Sequence, residues 1–261
     1  MKTLTASDRS VLIRLASSLP VGDPNRKVLL VTATAEEYNV KDKHIFEPAQ
    51  VYDEARVFGD GMVYERAILR GACQVYGHAK VYGDTRLHSQ AKVYGSAEVF
   101  DRALVSGNVQ VYESARVYGE ARLSGDAEVF GRAKVYGSAV VTDHARVYDN
   151  VKIFDRAFIY DNAQVSMQAI VRDNASVSNN ARVYGSANLY EFAKVYGNAK
   201  LYDARLSGDA VVYGDAEVSG RAFIYGKSKI GGTAKIYGGA WYDEVVMEGE
   251  WDAPGVPHGR R

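Results

Sequence analysis

Five histidines and one cysteine are the side chains best suited to acid–base, nucleophilic or metal chemistry in this chain of 261 residues. Transfer of a group to an amine or hydroxyl wants a general base, most often His, within hydrogen-bond reach of the nucleophile. His44 and His258 stand towards the two ends, and His78, His88 and His144 are scattered between them. Their spacing offers no three-His zinc set, and no nucleophile elbow, Walker loop or Cys/His cluster occurs. Cys73 is the single cysteine, so a disulfide within the chain is impossible. His88, flanked by Arg86, is the best candidate for a catalytic base, against the ordinary role of a solvated surface His.

What must position these residues is a repeat. At every sixth position from Val51 to Leu201 an aliphatic residue occurs, twenty-six times without a miss. After one missing residue the series resumes at Leu206 and runs through Val212, Val218, Ile224 and Ile230 to Ile236. Two residues before each of these thirty-two sites stands Ala in twenty-six cases, and an aromatic follows at twenty-one. A fixed period of this kind means stacked repeats. Sixfold spacing drifts across the faces of a helix, whereas Ala and Val two apart share one face of a strand. In Ala91-Lys92-Val93-Tyr94-Gly95-Ser96 the Ala and Val therefore point inward and the Lys outward, with a corner after them.

Three units make one coil. In steps of eighteen, the slot after the aliphatic residue reads Phe58, Tyr76, Tyr94, Tyr112, Phe130, Tyr148 on one track and Tyr64, Tyr82, Phe100, Tyr118, Tyr136, Phe154 on a second. The third reads Arg70, His88, Ser106, Ser124, Thr142. The spacing predicts an all-β, three-sided solenoid of about eleven coils, roughly 50 Å long at ~4.8 Å per strand. Cys73 takes a small inward slot and reads as core.

This pattern resembles the hexapeptide-repeat family of left-handed parallel β-helices. Val93-Tyr94-Gly95-Ser96-Ala97-Glu98 fits the family unit, except that Tyr or Phe takes the second slot, where Gly or an acid is frequent. The resemblance covers about three quarters of the chain and implies the left-handed winding. Many members are acyltransferases using acyl-CoA, some are γ-class carbonic anhydrases, and others are structural. The resemblance therefore implies acetyl-CoA as cofactor if the chain is an enzyme. The family's enzymes bring their His with a loop that interrupts the repeats, and this chain has no such insertion.

The organisation that follows is a helical segment over 1–48, the β-helix over 49–240, and a cap and tail over 241–261. Thr5-Ala6-Ser7-Asp8 has capping-box spacing, and Val11, Leu12, Leu15, Ala16 and Leu19 form an apolar helical stripe. Asp23-Pro24 opens a second element, whose end at Val31-Thr32-Ala33-Thr34 could equally be a strand. The run from Asp8 to Leu30 resembles a short helix-turn-helix tag of phage and bacterial proteins; its other reading is a cap over the open first coil. Trp241, Tyr242, Val245, Val246, Met247 and Trp251 suggest a strand or cap over the last coil, and His258-Gly259-Arg260-Arg261 a disordered tail.

Thirty-two basic and thirty-two acidic residues cancel, which gives no global attraction to nucleic acid or to an anionic membrane. No stretch approaches a membrane span or a signal peptide, so a cytoplasmic location is expected, or a virion if the chain is phage-encoded. On the third track the outward strand position reads Ile68, Arg86, Leu104, Arg122, Val140, Phe158, beside small neighbours. Ile68, Leu104, Val140 and Phe158 thus form an apolar strip on a flat face, the mark of a contact surface. The N-terminal helix could cover it, or a symmetry-related copy in a homo-oligomer, for which a trimer is expected. The aromatic columns read either as platforms for sugars or bases, or as ladders that shield the corners; their regularity over the whole length favours the second. The function that results is a structural or binding scaffold for protein–protein assembly, of which a phage structural component is one form, with acyl-CoA-dependent acyltransferase as the alternative.

Overall fold

The computed structural model of the chain describes residues 44–254, 256 and 257. The expected helices and the helix-turn-helix tag lie outside these residues, as does the basic tail. Thirty-six strands, most of two residues, form three sheets of 12, 13 and 11 strands. Up to Glu250–Ala253, strands pair in parallel with the strand three further along the chain, as Ile68 does with Arg86 and Val135 with Ile153. A chain that visits three sheets in turn, with an offset of eighteen residues, is a three-sided parallel β-solenoid of about eleven coils.

The inward residues close the core as their spacing predicts. Ala133 and Val135 are fully buried, and so are nearly all their counterparts from coil to coil. Two-residue strands suffice because each inward pair stacks on similar small–aliphatic pairs above and below, and the core runs unbroken along the axis. Cys73 is buried in a small slot, and burial pushes its thiol up to about 12, so the thiolate is suppressed.

Corners turn through one residue in the left-handed region. Gly occupies many of these positions, and sixteen others are held by non-glycine residues, mostly Asp. The acidic residues there also hydrogen-bond to the next coil. The Asp53 carboxylate accepts from the Gly71 N–H (3.2 Å), Asp101 from Gly119 (3.1 Å) and Asp173 from Glu191 (3.0 Å). A carboxylate thus satisfies a main-chain donor that lies beyond the strand ladders.

Four corners are one residue short, and two of them are built alike. At the first, the Asp203 carboxylate accepts from the Ser186 N–H at 2.6 Å, and the Tyr184 and Tyr202 rings tilt by 33°. At the second, Asp243 accepts from the Lys227 N–H at 2.6 Å, and Tyr225 and Tyr242 tilt by 38°. The second lies within the last coil, in which the inward residues advance in steps of five. Trp241, Val246 and Trp251 pair with Ile224, Ile230 and Ile236. Trp241 is 2 % exposed, its bulk filling a coil with shorter corners. An antiparallel strand, Val256–Pro257, then lies on Glu250–Ala253.

Candidate functional site

The flat face is the 12-stranded sheet, and it assembles the apolar strip in one row. Ile68, Arg86, Leu104, Arg122, Val140 and Phe158 are paired in register on successive strands. Ile68, Leu104 and Val140 are half-buried, and Phe158 is 38 % exposed, its ring stacked on Tyr160. Alternation puts an aliphatic residue between two arginines, so the row is an apolar floor interrupted by charge every second coil.

Along its first half this floor lies in a groove of about 780 Å³ that reaches from Pro48 and Gln50 to Leu104 and Arg122. One wall is the preceding corner, where Arg66 pairs with Asp84 and Arg102 with Glu120, each at 2.6 Å. These wall charges neutralise one another. Arg86 and Arg122 on the floor are exposed, and no described residue forms an ion pair with either. The outward columns of this sheet contain no carboxylate between Gln50 and Met247, while Arg70, Arg86, Arg122, Lys194 and Lys229 stand in them. A molecule with no net charge therefore carries one positive face.

His88 sits on this face, half-buried. Burial first, then Arg70 and Arg86, hold its pKa below the usual value of 6.5, so the ring stays neutral at physiological pH. Arg70 itself lies over the Tyr52 ring at 5.1 Å. The other described histidines are elsewhere. His78 and His144 are corner residues paired across one coil with Asp60 (3.4 Å) and Asp126 (3.3 Å), and His44 is buried beneath the first coil's start. Among the described residues no group of three His, Cys, Asp or Glu side chains could hold a metal ion. No helix among them is long and apolar enough to cross a membrane.

The aromatic tracks form two ladders of six rings with centroids 4.8 to 5.0 Å apart and nearly parallel planes. Each ring face between the ends is covered by the next ring, so what reaches solvent is ring edge. Stacking of a sugar or base needs a free face, and the ladders offer none along their length. Their role is in cross-strand packing.

Sequence reasoning passed over the paired wall of the groove. Its signal was present: Arg66, Asp84, Arg102 and Glu120 alternate in sign at steps of eighteen. It also passed over the charge of the last coil. Glu244 and Glu248 bracket Val245 and Met247, which are 64 % and 45 % exposed. Known proteins add nothing to this geometry, for no family model, no curated protein and no solved structure matches the chain. The fold and site define a three-sided parallel β-solenoid with one carboxylate-free, partly apolar face.

Proposed function

We propose that this protein is a structural or binding scaffold, in which the rigid prism presents its flat face for protein–protein assembly, including self-assembly into a homo-oligomer such as a trimer. The observation that carries this reading is the in-register row from Ile68 to Phe158, with Arg86 and Arg122, which no described residue pairs, between the apolar residues. Arg stems can lie along such a strip while the guanidinium groups stay wet. A repeat prism holds this row rigid at no ordering cost on binding, which favours association. Leu104→Glu combined with Val140→Glu tests it, because both side chains point outward and the core is untouched. Sedimentation should show the assembly dissociate while circular dichroism and melting stay as in the parent. An unchanged mass in solution would make this face ordinary surface.

An acetyl-CoA-dependent acyltransferase is the second reading, supported by the hexapeptide resemblance and by one observation. His88 is kept neutral between two arginines, as a base beside an anionic cofactor should be. Thermal-shift titration with acetyl-CoA and CoA separates the two: stabilisation that His88→Ala or Arg86→Ala removes would favour the enzyme.

A further inference from the structure

The flat face has an opposite on the same molecule. From Ala240 to Pro254 the chain carries five carboxylates and no basic residue. Asp243 and Glu250 are engaged within the coil, with the Lys227 N–H and with Lys235. Glu244 and Glu248 are exposed, and no described residue forms an ion pair with them. Between them, Val245 and Met247 are two of the most exposed apolar side chains described, with Tyr242 (59 %) close by. An acid–apolar–acid stretch therefore stands at one end, and an Arg86–Leu104–Arg122 floor of the reverse charge lines a groove near the other.

We infer that the last coil of one copy, through Glu244, Val245, Met247 and Glu248, docks into the flat-face groove of a second copy at Arg86, Leu104 and Arg122. This rests on the reading of the flat face as an assembly surface and names its occupant. The two patches cannot meet within one chain. Both lie on the 12-stranded sheet, separated by eight strand steps from Leu104 to Val245, which is about 38 Å at ~4.8 Å per step. Two flat faces laid parallel and in register would set Arg86 and Arg122 against their own copies, so that pairing is disfavoured. Residues 1–43 carry seven basic and five acidic side chains and lack the complementary sign. The last coil has it. If each copy returns the contact, the pair is two-fold and closes at two copies; if the contact is not returned, it makes a ring of three or more copies or a filament.

Charge reversal with compensation tests this. The Arg86→Glu/Arg122→Glu variant and the Glu244→Arg/Glu248→Arg variant alter only outward side chains, and unchanged melting will confirm that both fold. Sedimentation velocity at low salt should show each variant associate with itself at least about tenfold more weakly than the parent. A variant that combines all four changes should recover most of the loss, and association of the parent should weaken as salt rises. If the parent assembles, loses assembly with Leu104→Glu/Val140→Glu, yet ignores both charge reversals, the flat face is an assembly surface but its occupant is not the last coil. A parent that is monomeric at every concentration overturns this inference and self-assembly with it. Assembly that ignores all three variants overturns the flat-face reading itself.

Discussion

The Asp161 carboxylate accepts two hydrogen bonds from Asn179 on the next coil, one from its main-chain N–H at 3.0 Å and one from its side-chain amide at 2.9 Å. Both residues are in the left-handed region, at φ 57° and 56°. Asn179 in turn accepts from the Gly197 N–H at 3.2 Å, so one corner is tied across three coils by side chains that also tolerate its backbone. The abundance of Asp at these corners thus answers two demands at once.

Asp161→Asn should be close to neutral, because the amide oxygen still accepts and Asn keeps its tolerance of this backbone. Asp161→Ala should cost about 1–2 kcal/mol through left-handed strain and the lost acceptor, most of it from the backbone since water reaches the site. Urea unfolding of the two variants checks this. Equal losses would show that the corner conformation contributes little.

Ala133 and Lys134 are neighbours in sequence with opposite fates. Ala133 is fully buried, whereas Lys134 is the outward residue of its strand. Ala133→Leu should overpack the slot and lose about 1–3 kcal/mol, while Lys134→Leu should stay within about 0.5 kcal/mol. Differential scanning calorimetry of the pair is the measurement, and matching melting temperatures would contradict the inward assignment.

Legibility followed the strength of each period. The Ala–x–Val register and the ring tracks repeat at every coil, so the three sheets and the ladders could be read before any coordinates. Cys73 was placed as core for the same reason, and Ile68 to Phe158 as one row. The last coil was not resolved in this way: its step drops from six to five, and Trp241 and Trp251 replace aliphatic residues at two of its three inward positions. Hydrogen bonds such as Asp203 to Ser186 and ion pairs such as Arg102 to Glu120 span 17 or 18 residues. They become visible only once the coil length is applied to every column, including those without hydrophobic signal.

The tyrosine ladders predict loss of stability in alkali. Burial raises the pKa of Tyr64, Tyr76, Tyr82, Tyr94, Tyr118 and Tyr136 above the usual 10, and burial with the Glu128 charge pushes Tyr112 up to about 12. The folded chain holds these protons more tightly than the unfolded one. Their contribution is complete below pH 10 and lost as pH rises through the folded values. Melting temperature should fall between pH 10 and about 12 as phenolate absorbance appears. Tyr112→Phe keeps the ring and should lessen the fall; a variant that behaves like the parent would place the alkaline transition elsewhere.

His88 carries the opposite sign. Its folded pKa is lowered, so the stability it contributes is present above 6.5 and lost as pH falls through the folded value. Its ring resonances should titrate with a midpoint below 6.5, and Arg86→Ala should move that midpoint upward. His88→Ala should change stability by only about 0.5 kcal/mol at neutral pH.

The last coil depends on Trp241. Its ring is buried, its Nε1–H donates to the Gly238 carbonyl at 2.7 Å, and its strand pairs with Phe223–Tyr225. Removing a buried Trp costs about 3–5 kcal/mol, but a solenoid is stabilised by nearest-neighbour contacts, so the loss should stay local. Trp241→Ala should therefore open residues 240–254 to hydrogen exchange and protease while amides from Gln50 to about Ile236 keep their protection. Tyr242→Ala, at a position 59 % exposed, should leave the same region closed. Because Glu244, Val245, Met247 and Glu248 are displayed by this coil, Trp241→Ala should also weaken self-association without changing any of them. Global destabilisation of the whole prism would mean that the last coil folds as one unit with the rest. An opened coil with full self-association would place the contact outside it.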